Sequence, residues 1–372
     1  MIKTKQLLNV VALAMSGSKS MESNVKNHLF HGGYIFSYSR ALSVLAKLPE
    51  GCEHLEGVID SNILYKLLGK LKKDEIDIVV NKEEKKWTIS SDTSTAEIQL
   101  NIDETLGERF DAMNPEDLEW HELPGKFYEG LTICDIPSNK FKLKGLYIQG
   151  DTMLSTDGKR FHRATLDSTI DEAFPSDAKS KALFISDYSV TELLRAGIKF
   201  GEFAVTDNWV YFRSSNEDEA VLLFACNRLD ESSYMYDAIM KIYANVEGAD
   251  GVEGTFPPIL DSLDLAQVFD NTVTLSTNRG VAIENNNVIS LTFGKNSITV
   301  SSERSAIGKY SNRIAYPDGK KLPIEESFKI QITGPFLKEA LKHTKDFTLV
   351  DMGGKFVMLM KGEFFSTIIN TI

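Results

Sequence analysis

Cysteine is scarce in this 372-residue chain, with Cys52, Cys134 and Cys226 as the whole supply. An odd number with no short spacing speaks against a disulfide framework and fits a reducing compartment. Histidine is nearly as rare, at six, and only His28 and His31 stand close together. No further His or Cys at ligand spacing joins them, so no metal site is expected. Positive charge is also short: 41 Lys and Arg face 53 Asp and Glu, for a net charge of −12. That balance argues against a phosphate-binding surface spread over the whole protein but leaves room for a locally basic one. No stretch approaches the ~20 apolar residues of a membrane span. A Gly-rich phosphate loop and a supported Ser/His/Asp arrangement are missing too, so neither a cofactor nor enzymatic activity is expected. Asp157-Gly158 and the acidic runs at 116–117 and 217–219 read as turns and solvated loops rather than as a hydrolytic carboxylate pair.

What is present is ample apolar material, 42% of residues, in a length that suits two or three domains. Near the N-terminus, Lys3 and Lys5 precede an apolar stretch over 7–15 that imitates an export signal. Asn9 interrupts it, and Leu7, Leu8 and Val11 share one side of a helix, so the segment reads as an amphipathic helix of a cytoplasmic protein. The alternative it leaves open is an exported or phage structural β-rich protein without a DNA function.

The dominant feature is a hidden repeat. Ile59, Ile185 and Ile332 are each followed at +4, +5, +8 and +9 by the positions expected to face inward. These are Ile63, Leu64, Leu67 and Leu68, then Ser189, Val190, Leu193 and Leu194, then Phe336, Leu337, Ala340 and Leu341. That spacing is one face of a helix. Asp60, Ser186 and Thr333 stand where each helix begins and are expected to cap it. Three strands follow each helix, at 76–80, 87–89 and 96–100, at 203–206, 209–212 and 221–225, and at 347–350, 356–359 and 364–369. The front halves agree more loosely, with helical candidates at 5–15, 126–134 and 263–275 and strands at 29–38, 146–156 and 289–300. Polar connectors over 103–122 and 230–252 leave the first two units. The expected class is α+β, with domains at 1–122, 123–252 and 253–372.

At this point the chain resembles the β sliding clamp, the processivity subunit of bacterial DNA polymerase III, and its phage relatives. Leu154-Ser155-Thr156-Asp157-Gly158-Lys159-Arg160-Phe161 is similar to the family's Ala-Thr-Asp-Gly-His-Arg-Leu turn. Leu143-Lys144-Gly145-Leu146, the Asp and Tyr of the 230–236 connector and Leu275-Ser276-Thr277-Asn278 are also family-like. The resemblance implies three DNA-clamp domains, each with two helices on short antiparallel sheets, and two subunits closing head to tail into a ring. It implies a non-enzymatic processivity factor whose partners are double-stranded DNA read without sequence preference, a DNA polymerase, a clamp loader and a second copy of itself, and no membrane.

Charge supports the hole of such a ring. The segments 60–73, 186–199 and 333–346 carry nine basic residues against five acidic ones, in a chain that is acidic overall. Lys66, Lys70, Lys73, Arg195, Lys199, Lys338, Lys342 and Lys345 are the expected DNA contacts. By resemblance, a pocket for client peptides is expected from Leu143, Thr156, Gly158, Arg160, Phe161, Ile239, Met240, Ile368, Ile369 and Asn370. Subunit contacts are expected at Ile98, Leu100, Val273 and Leu275. Lys159 replaces the family's His, Lys241 a Pro, and 368–372 the family's Met-Pro-Met-Arg-Leu ending, so the pocket suits a different peptide.

Overall fold

A computed structural model of the chain describes residues 1–18, 26–92, 94–113, 117–136, 145–176, 178, 180–214, 222–257, 288–302, 310–316, 319 and 321–372. After a short strand β1 (Ile2–Lys3) the first repeat opens with helix α1 (Thr4–Ser18). Four strands follow: β2 (Asn27–His31), β3 (Tyr34–Tyr38), β4 (Leu42–Lys47) and β5 (Gly57–Asp60). Helix α2 (Ser61–Lys70) then leads to β6 (Glu75–Asn81), β7 (Lys86–Ser91) and β8 (Ser94–Gln99). The segment that imitates an export signal is α1 itself, with Leu7, Val11 and Ala14 buried against the sheet.

The first connector holds helix α3 (Glu104–Asp111) and strand β9 (His121–Glu122). The second repeat consists of α4 (Phe127–Ile133), β10 (Leu146–Gln149), β11 (Thr152–Thr156), β12 (Arg160–Thr165), β13 (Ala182–Ile185), α5 (Asp187–Ala196), β14 (Glu202–Val205), β15 (Trp209–Arg213) and β16 (Leu222–Asn227). The second connector holds α6 (Tyr236–Glu247) and β17 (Gly251–Thr255). The described part of the third repeat is β18 (Val288–Phe293), β19 (Ser297–Ser302), β20 (Tyr310–Ala315), β21 (Phe328–Thr333), α7 (Gly334–Ala340), β22 (Asp346–Asp351), β23 (Phe356–Lys361) and β24 (Phe365–Asn370). The helical candidate at 263–275 lies outside the described residues.

Two caps are as expected. The Asp60 carboxylate accepts from the N–H groups of Asn62 and Ile63, and Ser186 Oγ from that of Ser189. Thr333 makes no side-chain cap, and Pro335 opens α7 instead. Leu64, Leu68, Val190, Leu193, Leu337 and Ala340 are buried, but Ile63, expected inward, is 54% exposed.

The chain packs as two compact units rather than as three separate domains. One contains 1–128, 145–151 and 167–231; the other contains 129–144, 152–166 and 232–372. In the first unit β4 pairs antiparallel with β16, Val44 opposite Phe224, so one ladder runs through strands of repeats 1 and 2. In the second, β12 pairs antiparallel with β24, Phe161 opposite Ile368, joining repeats 2 and 3 in the same way. Ladder hydrogen bonds across a repeat boundary are as dense as those within a repeat, which is why compactness ignores the boundary. Two four-stranded sheets remain, β1-β6-β7-β8 and β20-β19-β18-β21.

Two buried histidines make folding sensitive to acid. His28 is fully buried and neither ring nitrogen has a hydrogen-bond partner. His162 donates or accepts through Nδ1 at the Ile133 carbonyl, while its Nε2 is unpartnered. Burial depresses His28 from 6.5 to about 3 and His162 to about 4. Above pH 6.5 both are neutral whether the chain is folded or not. Below it the unfolded chain binds protons that the folded chain refuses, until about 4 for His162 and about 3 for His28. Stability is therefore full at pH 7 and should fall by about 2 kcal/mol per histidine by pH 5. Urea midpoints at the two pH values measure this, and equal midpoints would contradict it. His31 sits three residues along the same strand, points outward and pairs with Glu56 (2.9 Å), so the two histidines do not converge on one site.

Candidate nucleic-acid interface and peptide groove

The basic helices are shorter than the charge pattern suggested. Lys66 and Lys70 lie on α2, Arg195 on the last turn of α5 and Lys338 on α7; Lys73, Lys199, Lys342 and Lys345 follow the helix ends. Gly197, at φ +66°, terminates α5 in the left-handed conformation, which is why Lys199 falls in coil. Lys66, Lys70, Lys199, Lys338 and Lys342 are exposed and have no carboxylate partner among the described residues. Lys73 is bound to Asp92 at 2.5 Å, which raises its pKa through that hydrogen bond and offsets its charge. Arg195 pairs with Glu192 and also donates to Ser16 Oγ (3.3 Å). Five unpaired lysines on or beside equivalent helices can hold phosphates without reading bases.

The expected peptide pocket divides between the two faces of one sheet, because alternate residues of a strand point opposite ways. On β12, Arg163 meets Glu247 (2.6 Å) and stacks on Tyr243 (4.4 Å), both on α6. Phe161 has the same parity, and its ladder partners Thr156 and Ile368 share that face. Tyr243 Oη donates to the carbonyls of Phe161 (2.8 Å) and Ser366 (3.1 Å), seating α6 on strands of two repeats. Ile239 is buried on α6 while Met240 and Asn370 are half-buried, so these residues border a groove beside the helix. Gly158, at φ +82°, makes the adjoining turn, in which Asp157 accepts from the N–H groups of Lys159 (2.8 Å) and Arg160 (3.0 Å).

Arg160 and Ile369 project from the opposite face. Arg160 stacks on Phe336 (4.3 Å), ion-pairs with Glu339 and bonds to Asp157 (3.2 Å), while Ile369 belongs to the core around Leu337 and Ala340. Neither borders the groove, and Leu143 lies outside the described residues. The missed member is α6, in what reads as a polar connector. Its signal was the apolar spacing of Ile239, Tyr243 and Val246.

Of the expected subunit contacts, Ile98 is 5% exposed and faces Trp87 across the β7–β8 ladder, so it is core. Leu100 is half-buried with its methyls against Gly57, and Val273 and Leu275 lie outside the described residues.

No family model and no curated protein matches the chain. Solved structures do. The chain is similar over its full length to 98% of a DNA polymerase sliding clamp from Bacillus subtilis, at TM-score 0.72 and 17% identity. The chain has the sliding-clamp fold. It is likewise similar to a Helicobacter pylori β clamp solved with a DNA ligase peptide, at TM-score 0.70 and 18% identity over 100% of this chain and 98% of that one. A DNA polymerase III β subunit from Thermotoga maritima gives TM-score 0.71 at 12% identity, again over 100% and 98%. The three repeats of this clamp fold persist at identities where few side chains are shared, and the ladder pairing and helix spacing described above carry the likeness. Among the described residues, no helix is long and apolar enough to cross a membrane.

Proposed function

We propose that this chain is a DNA sliding clamp, a non-enzymatic cytoplasmic subunit that closes head to tail with a second copy around duplex DNA and tethers a polymerase to it. The observation that carries this reading is the pairing of the repeats. The third strand of repeat 1, β4, pairs with the last strand of repeat 2, β16. The third strand of repeat 2, β12, pairs with the last strand of repeat 3, β24. The strands left over are the third of repeat 3, β20, and the last of repeat 1, β8, and both are sheet edges. An exposed edge invites another chain, and two different edges make a head-to-tail contact that closes into a ring. Three domains per chain, at 1–122, 123–252 and 253–372, and two chains then give six domains round the hole.

In this reading Lys70, Lys199, Lys338, Lys342 and their neighbours face the phosphates, and retention comes from topology rather than from affinity. The groove beside α6 takes an apolar peptide from a polymerase or a clamp loader, as the ligase peptide of the Helicobacter pylori structure supports for that protein. Exposed Lys159 and Lys241 next to that groove favour a peptide with acidic flanks. The test is retention. Loaded by its cognate loader onto a closed circular duplex, the clamp should remain bound through a ~0.5 M salt wash and leave when the circle is cut once. Equal loss from circular and linear DNA, or a marked sequence preference, would sink the reading.

A further inference from the structure

Two positions on the second helix of each repeat differ in burial between the copies. Three residues after the cap stand Ile63, Ser189 and Phe336; six after it stand Lys66, Glu192 and Glu339. On α5 both positions are buried, Ser189 at 0% and Glu192 at 3% exposure. Both touch repeat 1: Ser189 Oγ donates to the carbonyl of Ala41 (3.2 Å), next to the start of β4, and Glu192 accepts from Ser16 Oγ (2.5 Å). On α7 both are held by the residue that starts β12 of repeat 2, since Arg160 stacks on Phe336 and ion-pairs with Glu339. Each junction within the chain is thus closed, on its helix side, by the same two helix positions meeting the preceding repeat where its third strand begins.

In repeat 1 these positions meet nothing. Ile63 is 54% exposed, and Lys66 is exposed with no partner among the described residues. A large aliphatic residue at a helix position that is covered in both sister repeats calls for a cover of its own. Repeat 1 has no preceding repeat within the chain. The only third strand not already paired to a following repeat is β20, whose start, Tyr310, corresponds by ladder register to Arg160 and Leu42.

The geometry points to Ile63 and Lys66 as a subunit contact, covered by the start of β20 from a second copy of this chain. The inference rests on the head-to-tail reading above and adds which helix residues seal the joint. It removes Lys66 from the DNA-facing set and takes over the role that buried Ile98 cannot fill. Covering Ile63 contributes apolar burial at the centre of the contact, where one residue carries a large share of the affinity. Lys66 replaces the carboxylate of its sister positions, so the approaching segment is expected to offer an acceptor rather than an arginine.

Sedimentation of the full chain tests this across a concentration series. Ile63→Glu should weaken dimerisation at least about 100-fold, because a charge would be buried where an aliphatic group fits. Asp207→Lys, in the exposed β14–β15 turn, should leave it unchanged. Mild oxidation of Ile63→Cys combined with Tyr310→Cys should give a disulfide between protomers, while Asp207→Cys with Tyr310→Cys should not. The three native thiols are buried and their pKa values are pushed up to about 12, so they do not interfere. A dimer unmoved by Ile63→Glu and uncrosslinked by the cysteine pair overturns this inference and leaves the ring standing. A wild-type chain that stays monomeric overturns the ring reading itself.

Discussion

Reversing Lys70 and Lys342 to glutamate together is expected to reduce the affinity of the open chain for short duplex DNA by more than about tenfold at low salt, with no change in base preference. Both side chains are exposed and free of carboxylate partners among the described residues, so neither is spent on an internal ion pair. Each lysine that neutralises a phosphate releases condensed counterions, and each lost contact lowers the slope of log affinity against log salt by about one. Two contacts per protomer make four in the closed ring, so the slope should fall by up to about four. Titrations between ~50 and ~200 mM salt separate this from misfolding, since a partly unfolded protein would lose amplitude while keeping its slope. Lys73→Glu makes the contrast. Its ammonium is already bound to Asp92, and its reversal should move the slope far less. An unchanged slope in the double variant would remove these helices from the DNA-facing surface.

Replacing Arg160 by Met is expected to destabilise the fold by about 3 kcal/mol, the low end for breaking a buried ion pair. Arg160 is 6% exposed and is shared by Glu339, Asp157 and the Phe336 ring. Its loss leaves the Glu339 carboxylate without its guanidinium in a site that is mostly dry. Asp157 keeps the backbone N–H groups of Lys159 and Arg160, so it suffers less. Adding Glu339→Gln should recover most of the loss, because it removes the uncompensated charge rather than replacing the contact. Chemical unfolding of the two variants measures both effects. Peptide affinity of the folded Arg160→Met protein should remain near that of the parent, because Arg160 points away from the groove bordered by Phe161, Ile368 and Met240. A selective loss of peptide binding without a loss of stability would return Arg160 to the groove.

These two expectations part company with a reading by position alone. The turn around Asp157-Gly158 identifies where the groove lies, and residues near it are natural candidates for its wall. Along β12 and β24, however, candidates at adjacent positions cannot all face the same way. Phe161 and Ile368 fall on the α6 side, and Arg160 and Ile369 on the core side. The alternation was present in the sequence, but which parity faced α6 depended on Tyr243 and Arg163 meeting there. Helix α6 was itself hidden because its exposed positions, Asp237, Lys241 and Asn245, give the segment the look of a polar connector.

The sequence alone determined the repeat, the helix starts at Asp60 and Ser186, the strand triplets after each helix and the α+β class. All of these follow from local periodicity, from capping chemistry and from the alternation of apolar and polar residues, which act over a few positions along the chain. It also determined the basic bias of the second helices, since charge is additive along a segment. What only the tertiary structure decided was long-range pairing. That β4 meets β16 and β12 meets β24, leaving β8 and β20 as edges, depends on hydrogen-bond ladders between strands more than a hundred residues apart. No short-range pattern encodes such a ladder, because a backbone edge offers the same donors and acceptors whatever its side chains. For the same reason Ile63 read as an inward residue of its own helix. Its periodicity was correct, but the surface it fits is not supplied by its own repeat.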